Sequence, residues 1–199
     1  MEYKILFLGP SDSPVVDWLR KNGENVFSTE EKITKDFVIN KSFNFLISYG
    51  YRFILKKEIL DLFADRAINM HISLLPYNRG ADPNFWSFIE GTPKGVTIHY
   101  LDQGEDTGDI IIQKEIKFVS PEVETLSSSY NKLQKEIQNL FFQNWNSIKK
   151  QDNNRTSQEG FSTSHKVKDK DDLLFLMEPD GWNTRISKLI NSYEQNKNM

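Results

Sequence analysis

The most informative segment of this chain is Ala67-Ile68-Asn69-Met70-His71-Ile72-Ser73-Leu74-Leu75-Pro76. Its apolar beginning predicts a β-strand, along which successive side chains point to opposite faces. The polar residues Asn69, His71 and Ser73 therefore share one face of the strand. A carboxamide donor beside a titratable imidazole at the end of a strand is a suitable place for acyl chemistry.

A carboxylate follows further along the chain. The strand-like run Gly95–Leu101 leads into an acidic, turn-rich loop at residues 102–108, and this loop contains Asp106. The loop can bring its carboxylate to the imidazole. The sequence therefore predicts a catalytic trio of Asn69, His71 and Asp106.

The segments before this strand alternate between strand and helix patterns. Residues 4–9 and 44–50 are short, continuous apolar runs, as expected of strands buried on both faces. Between them, Ser13 and Pro14 mark a helix start, with Ser13 as the N-cap and Pro14 in the first helical position. This alternation predicts an α/β fold with a doubly wound, mostly parallel sheet and ligands beyond the carboxyl ends of its strands.

The C-terminal part is predicted to be helical. Residues 122–150 have the apolar spacing of one long helix, and residues 151–156 are a polar linker. Two further short helices are expected at residues 171–177 and 182–192. We therefore expect a catalytic domain at residues 1–150 and, at residues 151–199, a linker and a short helical tail packed on that domain.

Composition excludes several classes of protein. The chain has 199 residues, a formal net charge of −3 and no cysteine, so disulfides, thiol catalysis and thiolate metal sites are excluded. It lacks the clustered basic residues of a nucleic-acid-binding protein and any apolar run long enough to span a membrane. The short, polar N-terminal run does not resemble a signal peptide. We expect a cytoplasmic protein with no nucleic-acid and no membrane partner.

The three histidines are expected to have different roles. Only His71 matches a site, so we expect no metal centre. His99 lies between two apolar residues of a strand and is assigned a structural role. His165 lies in a basic stretch and is assigned to the surface.

Three segments give the chain a resemblance to a known family. They are residues 69–76 followed by Gly80, Asp106-Thr107-Gly108 ahead of Ile110-Ile111, and residues 48–55. As a spaced set they resemble the folate-dependent formyltransferases, which include the glycinamide-ribonucleotide, methionyl-tRNA and nucleotide-sugar enzymes. The resemblance runs from about Phe45 to Phe118. It implies a formyltransferase-like, Rossmann-type fold and N10-formyltetrahydrofolate as the formyl donor.

The family's reaction gives the predicted trio its roles. Formyl transfer to an amine passes through a tetrahedral oxyanion, and the amine must lose a proton. Asn69 can donate its amide to the oxyanion, and His71 can donate as an imidazolium or relay the proton. Asp106 can stabilise the charged form of His71 or take up the amine proton through water. The sequence leaves these two roles of Asp106 open.

The resemblance also implies a folate pocket with two walls. One wall is Phe53-Ile54-Leu55, which would line the pterin and offer backbone hydrogen bonds to it, although hydrophobicity alone would place these residues in the core. The opposite wall is Asp102-Gln103-Gly104, a run that is also typical of a hairpin turn. We favour the pocket interpretation because Asp106 lies in the same loop.

The formyl acceptor is expected to contact residues 77–86. These residues can be interpreted as a loop and a helix start, with Phe85 and Trp86 packed inward. The stretch also resembles the nucleotide-sugar enzymes, which implies an acceptor wall with a cation for phosphate, carboxamides for sugar hydroxyls and an aromatic ring for stacking. The candidate contacts are Tyr77, Asn78, Arg79 and Asn84.

Two departures separate the chain from the other branches of the family. The purine enzymes have a glycine- and asparagine-containing phosphate loop after the first strand. Residues 9–14 instead contain Asp12, which would repel phosphate, and two prolines, which lack amide donors. The tRNA enzymes have a full second domain, whereas only about fifty residues follow the long helix here. Residues 165–184 are similar to the short tail of sugar formyltransferases.

We therefore expect an N-formyltransferase that moves a formyl group from N10-formyltetrahydrofolate to the amine of a nucleotide-linked amino sugar, for surface polysaccharide biosynthesis. The alternative within the enzyme class is the phosphoribosylglycinamide formyltransferase of purine synthesis. An alternative of another class is a non-catalytic folate-binding module on the same fold. The expected partners are two small molecules, the nucleotide sugar and the folate, and a homodimer is left open.

Overall fold

The structure is a computed structural model that describes residues 3–197. Strands and helices alternate along the chain. The strands are β1 (Lys4–Leu8), β2 (Asn25–Thr29), β3 (Phe45–Ser48), β4 (Ala67–His71), β5 (Arg79–Gly80), β6 (Gly95–Tyr100), β7 (Ile110–Glu115) and β8 (Ser164–His165). The α-helices are α1 (Pro14–Lys21), α2 (Lys35–Lys41), α3 (Lys57–Leu60), α4 (Pro83–Ile89), α5 (Leu126–Lys150) and α6 (Ile186–Lys197). Segments of 3₁₀ helix span Ala64–Arg66, Val167–Met177 and Gly181–Asn183.

The main sheet has the strand order β2-β1-β3-β4-β6-β7. Strand β1 pairs in parallel with β2 on one side and with β3 on the other, and β3 pairs in parallel with β4. Parallel neighbours need crossover connections, and helices α1, α2 and α3 lie in these connections. The strand order reverses at β1, which is where an open α/β sheet forms a ligand-binding crevice. The expected doubly wound, mostly parallel fold is confirmed.

Helix α1 begins where the sequence predicts. The hydroxyl of Ser13 accepts a hydrogen bond from the amide of Val15, and Pro14 lies in the first turn. A cap of this kind stabilises a helix by about 1 kcal/mol. Val15, Val16 and Leu19 form the packing face of α1 and are fully buried.

The described chain divides into two compact units. The first contains the described residues up to His71, Ile98–Ile112 and Ile137–Gln158. The second contains Ile72–Thr97, Gln113–Glu136 and the described residues from Glu159 onward. The expected boundary at residue 150 does not separate these two units. The tail from Glu159 onward belongs to the same unit as Ile72–Thr97, the segment that directly follows β4.

Each unit has its own apolar core. In the first unit the buried cluster is Leu6, Leu8, Ile33, Val38, Phe43, Leu46, Ile59, Leu60, Phe63 and Ala67. In the second unit helix α4 packs with the start of α5 and with the tail, and the buried cluster is Phe85, Trp86, Phe88, Ile89, Leu126, Leu176, Met177, Ile186 and Leu189. The tail is therefore an integral part of the core of the second unit.

Some element boundaries differ from the prediction. Helix α2 was not among the predicted elements; it is a short helix capped by Thr34 in which only Val38 is fully buried. Helix α5 begins at Leu126 because Thr125 and Ser128 exchange side-chain-to-backbone hydrogen bonds of 2.9 and 3.0 Å, which is a helix cap. Residues 171–177 lie in a 3₁₀ segment, and the last helix begins at Ile186. Within residues 3–197 no helix has the length and apolar character needed to cross a bilayer.

Candidate active site

Two neighbouring strands of the sheet deliver the polar side chains of the candidate site. Strand β4 contains Asn69 and His71, strand β6 contains His99, and Asp106 lies in the loop after β6. His71 is 8% exposed and His99 is 1% exposed, and the Asp106 side chain is 12% exposed. Charges shielded from water in this way interact more strongly than charges at a surface.

The Asp106 carboxylate contacts both of its predicted partners. The Asn69 amide nitrogen Nδ2 donates to Asp106 Oδ1 at 2.9 Å. The His71 ring nitrogen Nδ1 lies 3.5 Å from the other oxygen, Asp106 Oδ2. The structure thus brings the three predicted residues together around one carboxylate.

His99 is also part of this network. Its Nε2 atom lies 3.3 Å from Asp106 Oδ1 and 3.2 Å from Asn69 Nδ2. Its Nδ1 atom lies 2.8 Å from the carbonyl oxygen of Tyr100. The purely structural role expected for His99 is therefore incomplete, because its ring contacts two of the three predicted catalytic side chains. Strand alternation could have given the signal, since β6 ends beside β4 in the sheet.

The loop that carries Asp106 has a shape fixed by internal hydrogen bonds. Asp102 Oδ1 accepts from the amide of Gly104 at 3.0 Å and from the hydroxyl of Thr107 at 2.7 Å. Asp106 itself has a φ of 53°. A non-glycine residue adopts this left-handed conformation at a cost of about 1–2 kcal/mol, so other contacts must hold it there.

One such contact comes from Gln158. Its Nε2 atom donates to the carbonyl oxygens of Asp106 at 2.8 Å and of Gly108 at 2.7 Å. Just before it, Thr156 and Ile110 exchange backbone hydrogen bonds of 2.7 and 3.0 Å. The segment after α5, expected to be a linker, therefore clamps the loop of the candidate site. Nothing in the local sequence pattern around Gln158 indicates this role.

Arg155 anchors the same segment. Its guanidinium donates to Asp65 Oδ1 at 2.6 Å and to Asp109 Oδ2 at 2.7 Å, and it lies 4.4 Å from the ring centroid of Tyr100. The hydrogen bond from Arg155 lowers the pKa of the Asp109 carboxyl. The hydrogen bonds to Asp65 and Asp109 raise the pKa of the guanidinium.

The predicted folate segment is exposed. Phe53 is 41% exposed and Ile54 is 83% exposed, so the core interpretation does not hold for these two side chains. Leu55 and Leu101 both pack against the apolar cluster of the first unit. Leu55 is the last residue of the predicted wall Phe53–Leu55, and Leu101 directly precedes the predicted wall Asp102–Gly104. Both walls are therefore attached to the same apolar cluster.

The structure corrects the expected role of Asn78. This residue is completely buried. Its amide donates to Glu90 Oε2 at 2.9 Å, and its carbonyl oxygen accepts from the hydroxyl of Thr92 at 2.7 Å. Both polar atoms of the Asn78 carboxamide are therefore engaged in hydrogen bonds that stabilise the second unit. We assign Asn78 a structural role instead of a contact with the sugar.

Asn84 is corrected for the same reason. It is 3% exposed, and its amide donates to the carbonyl oxygen of Leu126 at 3.0 Å. Its side-chain oxygen accepts from the hydroxyl of Ser129 at 3.0 Å. Phe85 and Trp86, next in the chain, are buried as the inward-packing interpretation predicts.

Tyr77 and Arg79 remain partly exposed. The amide of Arg79 donates to the carbonyl oxygen of Thr163 at 2.9 Å, and β5 pairs in parallel with β8. This pairing fixes the main chain of the segment while its side chains are still accessible. These two residues are the remaining candidates for contact with an acceptor.

His165 is not the surface residue that the sequence analysis predicts. Its ring stacks on Trp86 with centroids 3.7 Å apart and planes 5° apart. Its Nε2 atom lies 2.8 Å from Glu90 Oε1. The prediction for His165 was wrong because the residues around it are mostly polar and exposed, whereas this one side chain packs inward. No group of three or more His, Asp or Glu side chains within the described residues is arranged to hold a metal ion.

Comparison with known proteins places this site in a family. Residues 11–144 match the formyl transferase family. The chain is also similar to the formyltransferase PseJ from Anoxybacillus kamchatkensis, with 43% identity, a TM-score of 0.88 and coverage of 95% of this chain and 98% of that one. That protein was crystallised with UDP-4,6-dideoxy-4-formamido-L-AltNAc and tetrahydrofolate. The chain belongs to the formyl transferase family of enzymes.

Two further known proteins are similar to the chain at lower identity. A 4-N formyltransferase from Francisella tularensis shares the fold, with 23% identity, a TM-score of 0.75 and coverage of 94% of this chain and 86% of that one. A methionyl-tRNA formyltransferase from Prochlorococcus marinus is 38% identical over 133 residues, which cover 63% of this chain and 40% of the relative. The chain thus matches 40% of the length of that curated relative.

Proposed function

We propose that this chain transfers the formyl group of N10-formyltetrahydrofolate to the amine of a nucleotide-linked amino sugar. The observation that carries the proposal is the buried network in which Asn69 and His71 contact opposite oxygens of Asp106. The match to the Anoxybacillus kamchatkensis protein supports the choice of both substrates, because it extends over nearly the whole of each chain. The product would supply a glycosyltransferase that builds a surface polysaccharide.

The network has the groups that the reaction needs. The amine attacks the formyl carbon, and negative charge develops on the formyl oxygen. Asn69 as an amide and His71 as an imidazolium can donate hydrogen bonds to that oxygen, and loss of one such donor typically lowers turnover about 10²–10³-fold. Asp106 can accept the proton that the amine must lose. When the carbon–nitrogen bond to folate breaks, the folate nitrogen takes up a proton.

The two loops of the first unit are the proposed folate site. Exposed Phe53 and Ile54 offer apolar surface to a pterin, and the proposed polar contacts are hydrogen bonds from their backbone. The side chain of Asp102 is engaged within its own loop. The contribution of residues 102–104 to folate binding is therefore assigned to the backbone.

The acceptor site is proposed to include Arg79 and Tyr77. A guanidinium is suited to a diphosphate because its planar donors match phosphate oxygens. A tyrosine ring can stack on a sugar or a base at a low cost in conformational entropy. Both side chains are partly exposed in a segment whose main chain is held by β8.

The first loop argues against the purine precursor as acceptor. A phosphomonoester site after β1 would need free amide donors. The amide of Ser13 donates instead to the carbonyl oxygen of Pro10 at 3.1 Å, and the amide of Gly9 donates to Thr29 at 3.0 Å. Pro10 and Pro14 have no amide hydrogen, and Asp12 adds negative charge.

Methionyl-tRNA is a second candidate acceptor. It is favoured by the 38% identity to the Prochlorococcus marinus enzyme. A tRNA substrate requires many phosphate contacts, however, and the formal net charge of this chain is −3. The match to that enzyme covers 40% of its length, whereas the match to the Anoxybacillus kamchatkensis protein covers 98% of that chain.

A direct assay tests the proposal. Purified protein is incubated with N10-formyltetrahydrofolate and, separately, with UDP- and dTDP-linked amino sugars, glycinamide ribonucleotide and methionyl-tRNA. Formylated product is identified by mass spectrometry, and Asn69→Ala is the matched inactive variant. We expect product with at least one sugar nucleotide.

The other outcomes would each reject the proposal. Product with glycinamide ribonucleotide or methionyl-tRNA alone would transfer the assignment to that acceptor. Folate binding without product from any acceptor would indicate a binding module instead.

A further inference from the structure

His99 is the part of the buried network whose presence the three-residue scheme does not explain. Its ring is 1% exposed and its Nδ1 atom lies 2.8 Å from the carbonyl oxygen of Tyr100. A carbonyl oxygen only accepts, so Nδ1 must carry a hydrogen. In the neutral ring the other nitrogen, Nε2, therefore has a lone pair and no hydrogen.

That lone pair faces two groups. Asn69 Nδ2 lies 3.2 Å from His99 Nε2, and the same amide nitrogen lies 2.9 Å from Asp106 Oδ1. An amide group has two hydrogens, and two acceptors within hydrogen-bond distance compete for them. While both acceptors are engaged, Asn69 has no hydrogen left for a formyl oxygen.

The remaining contact shows how that hydrogen can be released. His99 Nε2 and Asp106 Oδ1 are 3.3 Å apart, and both are acceptors when the ring is neutral and the carboxyl is ionised. A proton placed between them converts the contact into a charge-assisted hydrogen bond. His99 Nε2 then no longer accepts from Asn69, and one amide hydrogen of Asn69 becomes available.

We propose that His99 is a positioning residue that takes the acceptor amine's proton by way of Asp106 and thereby frees an Asn69 hydrogen for the formyl oxygen. The inference rests on the proposed formyl transfer. It assigns the amine proton to the Asp106–His99 pair and leaves His71 to the oxyanion.

The step balances as follows. The amine nitrogen forms a bond to the formyl carbon, the carbonyl electron pair moves to oxygen, and one amine proton passes to Asp106 and is shared with His99. The bond from the carbon to the folate nitrogen then breaks. That nitrogen receives the proton back from the pair, and the carbonyl re-forms.

The charges around Asp106 are consistent with this exchange. His71 and His99, whose ring centroids are 6.4 Å apart, both contact the carboxylate, and Asn69 beside them is neutral. One imidazolium beside one carboxylate is balanced. Two imidazolium rings beside one carboxylate would leave an uncompensated charge among side chains that are nearly excluded from water, which is costly. During the proposed exchange the negative charge that forms on the formyl oxygen supplies the compensation.

The test uses His99→Gln, which preserves a hydrogen-bonding side chain but cannot take up a proton. We expect kcat to fall at least about tenfold with KM for the acceptor nearly unchanged, since acid–base groups typically contribute about 10²–10⁴-fold. The low-pH limb of the kcat profile should move to lower pH, because only a carboxyl remains to bind the proton. In the Asp106→Asn background His99→Gln should have little further effect, because the two residues act as a unit.

A spectroscopic measurement separates this inference from the proposed function. The ring of His99 is observed by nitrogen-15 NMR of the protein without substrates. We expect a hydrogen on Nδ1 and none on Nε2 at high pH, with proton uptake at Nε2 as the pH falls. The kinetic comparison can use whichever acceptor is formylated.

Three results would overturn the inference. One is a folded His99→Gln protein with wild-type kcat and pH profile. Another is additivity of His99→Gln with Asp106→Asn, which would indicate a separate structural role. The third is a hydrogen on Nε2 at all pH values, and this result decides even if His99→Gln fails to fold.

Discussion

The carboxamide of Gln158 donates to the carbonyl oxygen of Asp106, a residue 52 positions earlier in the chain. The same amide group donates to Gly108, so one side chain bridges both sides of the turn that presents the carboxylate. The loop around Asp106 is therefore held from outside as well as by its own hydrogen bonds.

Gln158→Glu should lower activity without touching a substrate. The change preserves size but replaces the amide donor with a carboxylate facing two carbonyl oxygens. We expect a loss of about 1–3 kcal/mol in the free energy of unfolding and a fall in kcat, because the loop is released. Urea unfolding and steady-state kinetics measure both, with Gln195→Ala at an exposed position of α6 as the control. Unchanged stability and kcat would show that the clamp is dispensable.

His71→Ala and Asp106→Ala should each lower kcat at least about a hundredfold while the protein stays folded. Asn69→Ala should act similarly. Circular dichroism confirms the fold, and product formation measures turnover. Near-wild-type turnover in any folded variant of the three would remove that residue from the proposed mechanism.

Gly104→Val should weaken folate binding. A Cβ atom at position 104 would lie 1.9 Å from Thr107 Oγ1, so the loop must change shape to admit a side chain. Ile54→Val should have a mild effect, because the backbone is the proposed contact. Isothermal titration with tetrahydrofolate compares the two variants. Equal affinities would argue that folate binds elsewhere.

Arg79→Ala should raise KM for the nucleotide sugar more than it lowers kcat, because it removes binding shared by the ground and transition states. Loss of one charge-assisted contact corresponds to about 1.5–3 kcal/mol. The matched control is Arg20→Ala, at an exposed position on α1. If both arginine variants behave alike, Arg79 is a surface charge and the acceptor site lies elsewhere.

Arg155→Ala should destabilise the protein in a pH-dependent way. Because Arg155 lowers the pKa of Asp109, this ion pair stabilises the fold above the usual carboxyl range and loses its effect as the pH falls through the lowered pKa. The difference in unfolding free energy between wild type and variant should therefore be larger at pH 7 than at about pH 3. An equal difference at both pH values would assign the effect to packing on Tyr100 alone.

Local patterns predicted the parts of the fold that depend on neighbouring residues. Ser13 and Pro14 identified the start of α1 because a cap needs only the next turn of chain. Alternation along β4 placed Asn69 and His71 on one face, and the spaced motif added Asp106. The contacts of Gln158 and of His99 could not be read in this way, because their partners lie far away in sequence.

Polar side chains were the main source of error in the candidate site. Asn78 and Asn84 were assigned to sugar hydroxyls because residues 77–86 resemble the nucleotide-sugar enzymes. Both are buried and satisfied by partners that only the folded chain brings near, such as Thr92 and Leu126. His165 was misplaced for the same reason, since its stacking on Trp86 follows from the β5–β8 pairing.

The β5–β8 pairing joins the candidate acceptor segment, residues 77–81, to residues 163–165 of the tail. The amides of Asn78, Arg79 and Ala81 donate hydrogen bonds to Thr163 and His165. The main-chain conformation of residues 77–81 therefore depends on the tail. A graft of this segment alone into another enzyme would leave its main-chain donors without their acceptors. A graft that includes residues 163–165 would preserve them. With the acceptor site proposed above, a change of acceptor would require both segments, which are distant in sequence, to be moved as a pair.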